Sequence, residues 1–72
     1  MTIDHTYRVE LGKRLVIERT RMALTQQKVA DTLNIARSAL SHYENGRTDL
    51  RVDQLSILVN ELHFDLEFLV RG

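Results

Sequence analysis

Three histidines, at positions 5, 42 and 63, are the strongest metal-ligand types in the chain, and no cysteine accompanies them. Their separations match no metal-binding pattern such as two histidines one helical turn apart. Without cysteine, thiolate sites and disulfides are impossible, which suits a reducing, cytoplasmic setting. Ser38 and His42 stand one helical turn apart, but no acid is placed to orient the imidazole. No glycine-rich phosphate loop or nucleophile elbow occurs, and no carboxylate pair has a spacing that argues for acid–base work. The expectation is therefore a non-enzyme with no cofactor and no metal. What remains is hydrogen-bonding chemistry. Arg37, Ser38, Ser41 and His42 crowd one short stretch, with Ala36 just before it, Gln26 upstream, and Asn45 and Arg47 just after.

These groups must be positioned by a small frame. Seventy-two residues make one domain, 43% apolar and 28% charged, with no proline and three glycines. No apolar run reaches the ~18 residues of a membrane span, and the charged N-terminus lacks a secretory signal's apolar stretch. A domain near 70 residues buries only roughly 60% of its unfolded surface. It then needs a well-packed helical core, a partner subunit, or both. The formal net charge is zero, but unevenly so. Residues 1–51 carry nine Lys and Arg against six acids, and residues 52–72 carry Arg71 against four acids.

Residues 1–7 read as a short arm and residues 8–72 as a single domain. From Arg8 to Met22, Leu11, Leu15 and Met22 share one helical face, and Val9, Val16 and Ile17 form a second stripe expected to pack within the chain. Thr25 is a good N-cap for a helix presenting Val29, Ala30 and Leu33, although Lys28 stands where a capping box wants Glu or Gln. Asn34 tolerates the left-handed conformation that ends a helix. A third helix follows through RSALSHYE, with Leu40 and Tyr43 inward, and Asn45-Gly46 stops it. Val52, Leu55, Leu58, Val59 and Leu62 mark a fourth. The segment HFDLEFLV reads either as a last short helix capped by Asp65 or as an alternating strand.

The segment Gln26–Asn45 has a distinctive pattern. Apolar residues stand at Val29, Leu33, Ile35, Leu40 and Tyr43, small Ala30 lies where two helices must cross closely, and Asn34 lies in the turn. This is the pattern of a helix-turn-helix, whose second helix offers a polar outer face to the DNA major groove. LTQQKVADTLNIARSALSHYENG resembles the Cro and phage-repressor type helix-turn-helix, also called the xenobiotic-response-element family, and the likeness extends over residues 8–71. The resemblance implies an all-α, compact five-helix, lambda repressor-like DNA-binding domain. It also implies dimeric binding to a palindromic operator, transcriptional repression or autoregulation, and a structural ion pair between Arg19 and Glu44. Asn34 and Ala23 depart from glycines common in the family. Glu18 departs from an apolar residue, and Arg51 departs from a Ser or Thr cap, which leaves the start of the fourth helix open.

On this reading Arg37 pairs with guanine O6 and N7, Ser38 accepts or donates to several bases, and Ala36 meets a thymine methyl. His42 reaches a base or a phosphate. Ser41 either reads a base or packs against backbone. Gln26 opens the second helix, where backbone N–H groups face phosphates, and the resemblance places a backbone or base contact there. Asn45, Arg47 and Arg51 clamp the backbone. With no residues after 72, dimerisation is expected from the acidic end through Ile57, Leu66 and Phe68, of which Leu66 and Phe68 also read as core. The alternatives are the DNA-binding antitoxin of a toxin–antitoxin pair, which would have a protein partner, and a protein-interaction module that keeps the fold without binding DNA.

Overall fold

The computed structural model describes residues 5–71. Its elements are α1 (His5–Arg21), α2 (Gln26–Leu33), α3 (Arg37–Glu44), α4 (Val52–Glu61) and α5 (Leu66–Arg71). α2 packs on α3 and α4, while α1 packs on α3 and α5. The helix at the chain's start begins at His5, earlier than the sequence boundary at Arg8. Residues 5–7 are thus helical, with Tyr7 packed against the core, and the rest of the expected arm lies outside the described residues. No proline or glycine between His5 and Leu11 interrupts helical hydrogen bonding there.

The core gathers Leu11, Leu15, Val29, Ala30, Leu33, Leu40, Leu58, Phe64 and Leu69. Burying each large member contributes ~1.5–3 kcal/mol, so four nearly fully buried residues (Leu40, Leu58, Leu69 and Val29) already account for much of the hydrophobic term. The second stripe of α1 behaves differently from expectation. Val9 lies against Gly46, but Ile17 stays 51% exposed. It lies beside a hollow it lines with Glu18, Arg21, Asp65 and Phe68.

Helix ends follow local chemistry. Thr25 Oγ1 accepts the Lys28 N–H at 3.0 Å; Lys28 has no acceptor to return, so half a capping box forms. Asn34 adopts φ 58°, ψ 46°, and the Ile35 N–H then reaches the Ala30 carbonyl at 3.0 Å. Ala23 and His63 also adopt positive φ, 59° and 61°. The chain end is helix, not strand. Asp65 Oδ1 accepts the Phe68 N–H at 3.1 Å, which caps α5. A strand would have buried Phe64, Leu66 and Phe68 together, whereas Phe64 and Leu69 are buried and Leu66 is exposed.

Two glycines bring α1 against α3 and its C-terminal turn. A Cβ on Gly12 would stand 2.5 Å from the Glu44 carbonyl oxygen, and one on Gly46, at φ 71°, would stand 2.8 Å from Val9 Cα. Two buried polar residues complete the joints. Glu18 is 2% exposed; its carboxylate accepts both Arg21 Nε and Nη2 at 2.9 Å and the Asp65 N–H at 2.8 Å. It therefore pins the start of α5 to α1. The Arg21 guanidinium holds the Glu18 carboxyl below its usual range, with burial opposing and the Asp65 N–H helping. Buried Gln54 accepts the Arg51 N–H at 2.9 Å and donates to Tyr43 Oη at 3.2 Å. An arginine side chain has no acceptor, so at α4 only the half of a capping box that runs from the N3 residue Gln54 to the Arg51 N–H forms, and the helix starts at Val52.

Candidate nucleic-acid interface

α2 and α3 meet through Ala30, which is fully buried, with Val29, Leu33 and Leu40 around it. This contact dictates what α3 shows on its other side. With Leu40 inward and Tyr43 half-buried, Arg37, Ser38 and His42 are exposed. Ala36 is exposed just before the helix, as its N-cap residue, and offers no side-chain cap. Arg47 is exposed in the loop after α3, where its backbone N–H donates to the His42 carbonyl at 2.9 Å. Ser38, His42 and Arg47 make no side-chain hydrogen bond or ion pair with another described residue, so their donors and acceptors are open to a ligand.

Gln26 opens α2 beside this face. Its Nε2 donates to Glu44 Oε1 at 2.7 Å, and its Oε1 accepts from Arg37 Nη1 at 3.4 Å. Arg19 and Glu44 form an ion pair at 2.8 Å from Nε to Oε2, with a second contact of 3.4 Å from Nη2 to Oε1. Arg19 Nη1 also donates to the Leu24 carbonyl at 3.1 Å. The first helix, the turn before α2, and the end of α3 are thereby joined under the polar face.

Ser41 and Asn45 are engaged elsewhere. Asn45 Nδ2 donates to the Ser41 carbonyl at 2.9 Å and to Ser41 Oγ at 3.3 Å. That geometry makes Asn45 a closing residue for α3 and sets the Ser41 hydroxyl against the Asn45 amide. Arg51 forms an exposed ion pair with Asp53, with contacts of 3.2 and 3.3 Å.

The expected dimer residues separate in space. Ile57 is half-buried and packs against the core. Phe68 is half-buried in the hollow beside Ile17. Leu66 is 47% exposed and lines an apolar groove of about 290 Å³ with Val52, Leu55, Ser56, Val59 and Asn60. Val52, at the first turn of α4, is 83% exposed. The periodicity that marks α4 also places Val52, Leu55 and Val59 on this surface groove, which the sequence reading does not distinguish from the core side of the helix.

The Gln26–Glu44 bond was also missed. No local pattern encodes it, because its partners are eighteen positions apart and meet only when α2 crosses α3. Gln54 could have been noticed as the N3 residue of a helix whose N-cap is not a Ser or Thr.

The chain belongs to the helix-turn-helix family, whose model matches residues 17–69, in agreement with the Cro and phage-repressor resemblance. It is 36% identical over 61 residues to the "SPbeta prophage-derived uncharacterized HTH-type transcriptional regulator YonR" of Bacillus subtilis (strain 168), which covers 85% of this chain and 56% of that protein. It is likewise 36% identical over 62 residues to the "HTH-type transcriptional regulator ImmR" of the same organism, covering 86% of this chain and 49% of that protein. The chain thus spans about half the length of the curated relatives it matches. Among the described residues no helix is long and apolar enough to cross a membrane.

Proposed function

We propose that the protein is a sequence-specific DNA-binding transcriptional regulator of the cytoplasm, acting as a homodimeric repressor on a palindromic operator. The observation that carries this reading is the face of α3. Arg37, Ser38 and His42 stand exposed together, beside Gln26 at the start of α2, on a helix fixed by buried Leu40. α3 enters the major groove, Arg37 takes a guanine edge, Ser38 and His42 take neighbouring groups, and Ala36 meets a thymine methyl. Arg47 contacts the phosphates beyond α3, and the N-terminal turn of α2 faces those before it.

One such face reads one half-site. A second copy supplies the other, with equivalent helices ~34 Å apart along the duplex. The molecule measures 32 × 23 × 20 Å, so two copies side by side suit that separation. The contact is assigned to the α4–α5 groove with Leu66 at its edge, because Ile57 is occupied by the core.

Selection from a random duplex library tests the reading, followed by a salt series on the selected duplex. A consensus with two inverted halves is expected, bound with an affinity that falls steeply as salt rises through counterion release. A folded dimer that enriches no sequence at low salt would instead match the protein-interaction alternative.

A further inference from the structure

We infer that Glu18 is a positioning residue for the subunit contact. By holding the first turn of α5 from the side of α1, it fixes where Leu66 stands relative to α4, and so the shape of the groove that a second copy fills. The inference rests on the reading of that groove as the dimer contact.

The two walls of the groove are held differently. One is the face of α4 that carries Val52, Leu55 and Val59. α4 packs on α2 and is anchored by fully buried Leu58. The other wall is Leu66, the first residue of α5. α5 has only six residues, too few to be a stable helix without tertiary support. It packs on α1, and Leu69 is its buried residue. Phe68 borders the hollow of about 310 Å³ that Ile17 and Arg21 also line. Open space therefore adjoins α5 at both Leu66 and Phe68, and burial of Leu69 alone would leave the helix free to pivot. The Phe64 N–H donates to the Leu58 carbonyl at 3.1 Å, which ties the approach to α4 but stops two residues short of Leu66.

Glu18 removes that freedom. Its buried carboxylate accepts the Asp65 N–H at 2.8 Å, the last backbone donor before Leu66. Arg21 Nε and Nη2, each at 2.9 Å, grip the same carboxylate and fix its plane. Bidentate, charge-assisted bonds of this kind combine strength with defined geometry. Leu69 and the Asp65 N–H then make two fixed points, which set the direction of a short helix. With the first turn held on the α1 side, Leu66 stays at the edge of the groove instead of settling onto the apolar face of α4. An apolar side chain at position 18 would fill the same space and accept nothing.

The test measures the dimer dissociation constant of the whole chain by sedimentation equilibrium at neutral pH, well below the melting transition. Glu18→Met keeps the side chain's length and removes every bond of the carboxylate. Replacing a buried ionic group by an apolar one of similar volume is often neutral or stabilising, and exposed Arg21 returns to water. The thermal midpoint, taken at a dilution where both proteins are monomeric, should therefore stay close to wild type. The dissociation constant should nevertheless rise about tenfold, because α5 must now be ordered on association. Glu18→Gln, which keeps an acceptor for the Asp65 N–H, should recover part of that loss. In a Leu66→Ala background, already weakened, Glu18→Met should weaken the dimer no further. A Glu18→Met dimer as tight as wild type overturns the inference. So does an additive double variant, which would make Glu18 act elsewhere than through Leu66. Val29→Ala, a core change in α2, should lower the thermal midpoint and leave the dissociation constant unchanged; a matching rise there would reduce the effect of Glu18 to general stability and overturn the inference. A monomeric wild-type protein, or an intact dimer in Leu66→Glu, would remove the reading of the groove and this inference with it.

Discussion

At the scale of single residues, the fold depends on polar groups placed where an apolar one would be ordinary. Glu18 is the clearest case. Its carboxyl is held below the usual glutamate range, first by Arg21, with the Asp65 N–H helping against burial. A group whose folded pKa is depressed stabilises fully above its unfolded pKa and loses that contribution as pH falls through the folded value. Stability should therefore be level from neutrality down to about pH 4.3, the unfolded glutamate value, and decline below it. Glu18→Gln should lower stability at pH 7 and flatten the acid decline, as read from urea midpoints across pH. An equally steep decline in the variant would place the acid sensitivity in other carboxylates. The sequence showed Glu18 only as a departure from an apolar position. It could not show the partners, since Asp65 is forty-seven residues away.

At the scale of elements, helices were legible because their periodicity and caps are local. Thr25, Asn34 and Asp65 each do what their side chains favour. Distances of approach were not legible. Gly12 looks like an ordinary helix-weakening residue in the chain, yet its missing Cβ is what admits the Glu44 carbonyl. Gly12→Ala gains about 1 kcal/mol of helix propensity. It also forces backbone from backbone, an overpacking cost of about 1–3 kcal/mol or more. Because the obstacle is a main-chain carbonyl that cannot rotate away, the cost should win, and chemical denaturation should show a net loss. Ala23 is the opposite case. At φ 59° its Cβ is unfavourable, so Ala23→Gly should raise stability by about 1 kcal/mol, after subtracting the unfolded-chain entropy that glycine adds. A lower denaturation midpoint in Ala23→Gly would mean that the turn is unstrained. Residues 63–70 were equally undecided by local pattern. Alternation suited a strand as well as a helix until burial of Leu69, rather than Leu66, distinguished them.

At the scale of the whole molecule, zero net charge conceals a division. The segment through residue 51 has a surplus of three positive charges and the remainder an equal negative surplus. Attraction to DNA over long range should be weak, with selectivity resting on few contacts. The apolar groove at the acidic end is the proposed subunit contact. Leu66→Glu should halve the mass seen by sedimentation and weaken binding to a two-half site. It should not unfold the protein, because Leu66 is exposed and a carboxylate in the first turn of α5 suits the helix dipole. An intact dimer in that variant would move the contact elsewhere.

Base reading by the outer face of α3 is best tested by measuring the affinities of Arg37→Ala and Arg47→Ala for the selected duplex and all its single-base variants. Arg37→Ala should lose preference at one position per half-site, costing ~1–3 kcal/mol there. Arg47→Ala should weaken every duplex alike and reduce the salt slope by about one phosphate contact per subunit. Matching profiles for the two variants, or base preferences untouched by Arg37→Ala, would mean that α3 does not read bases through Arg37.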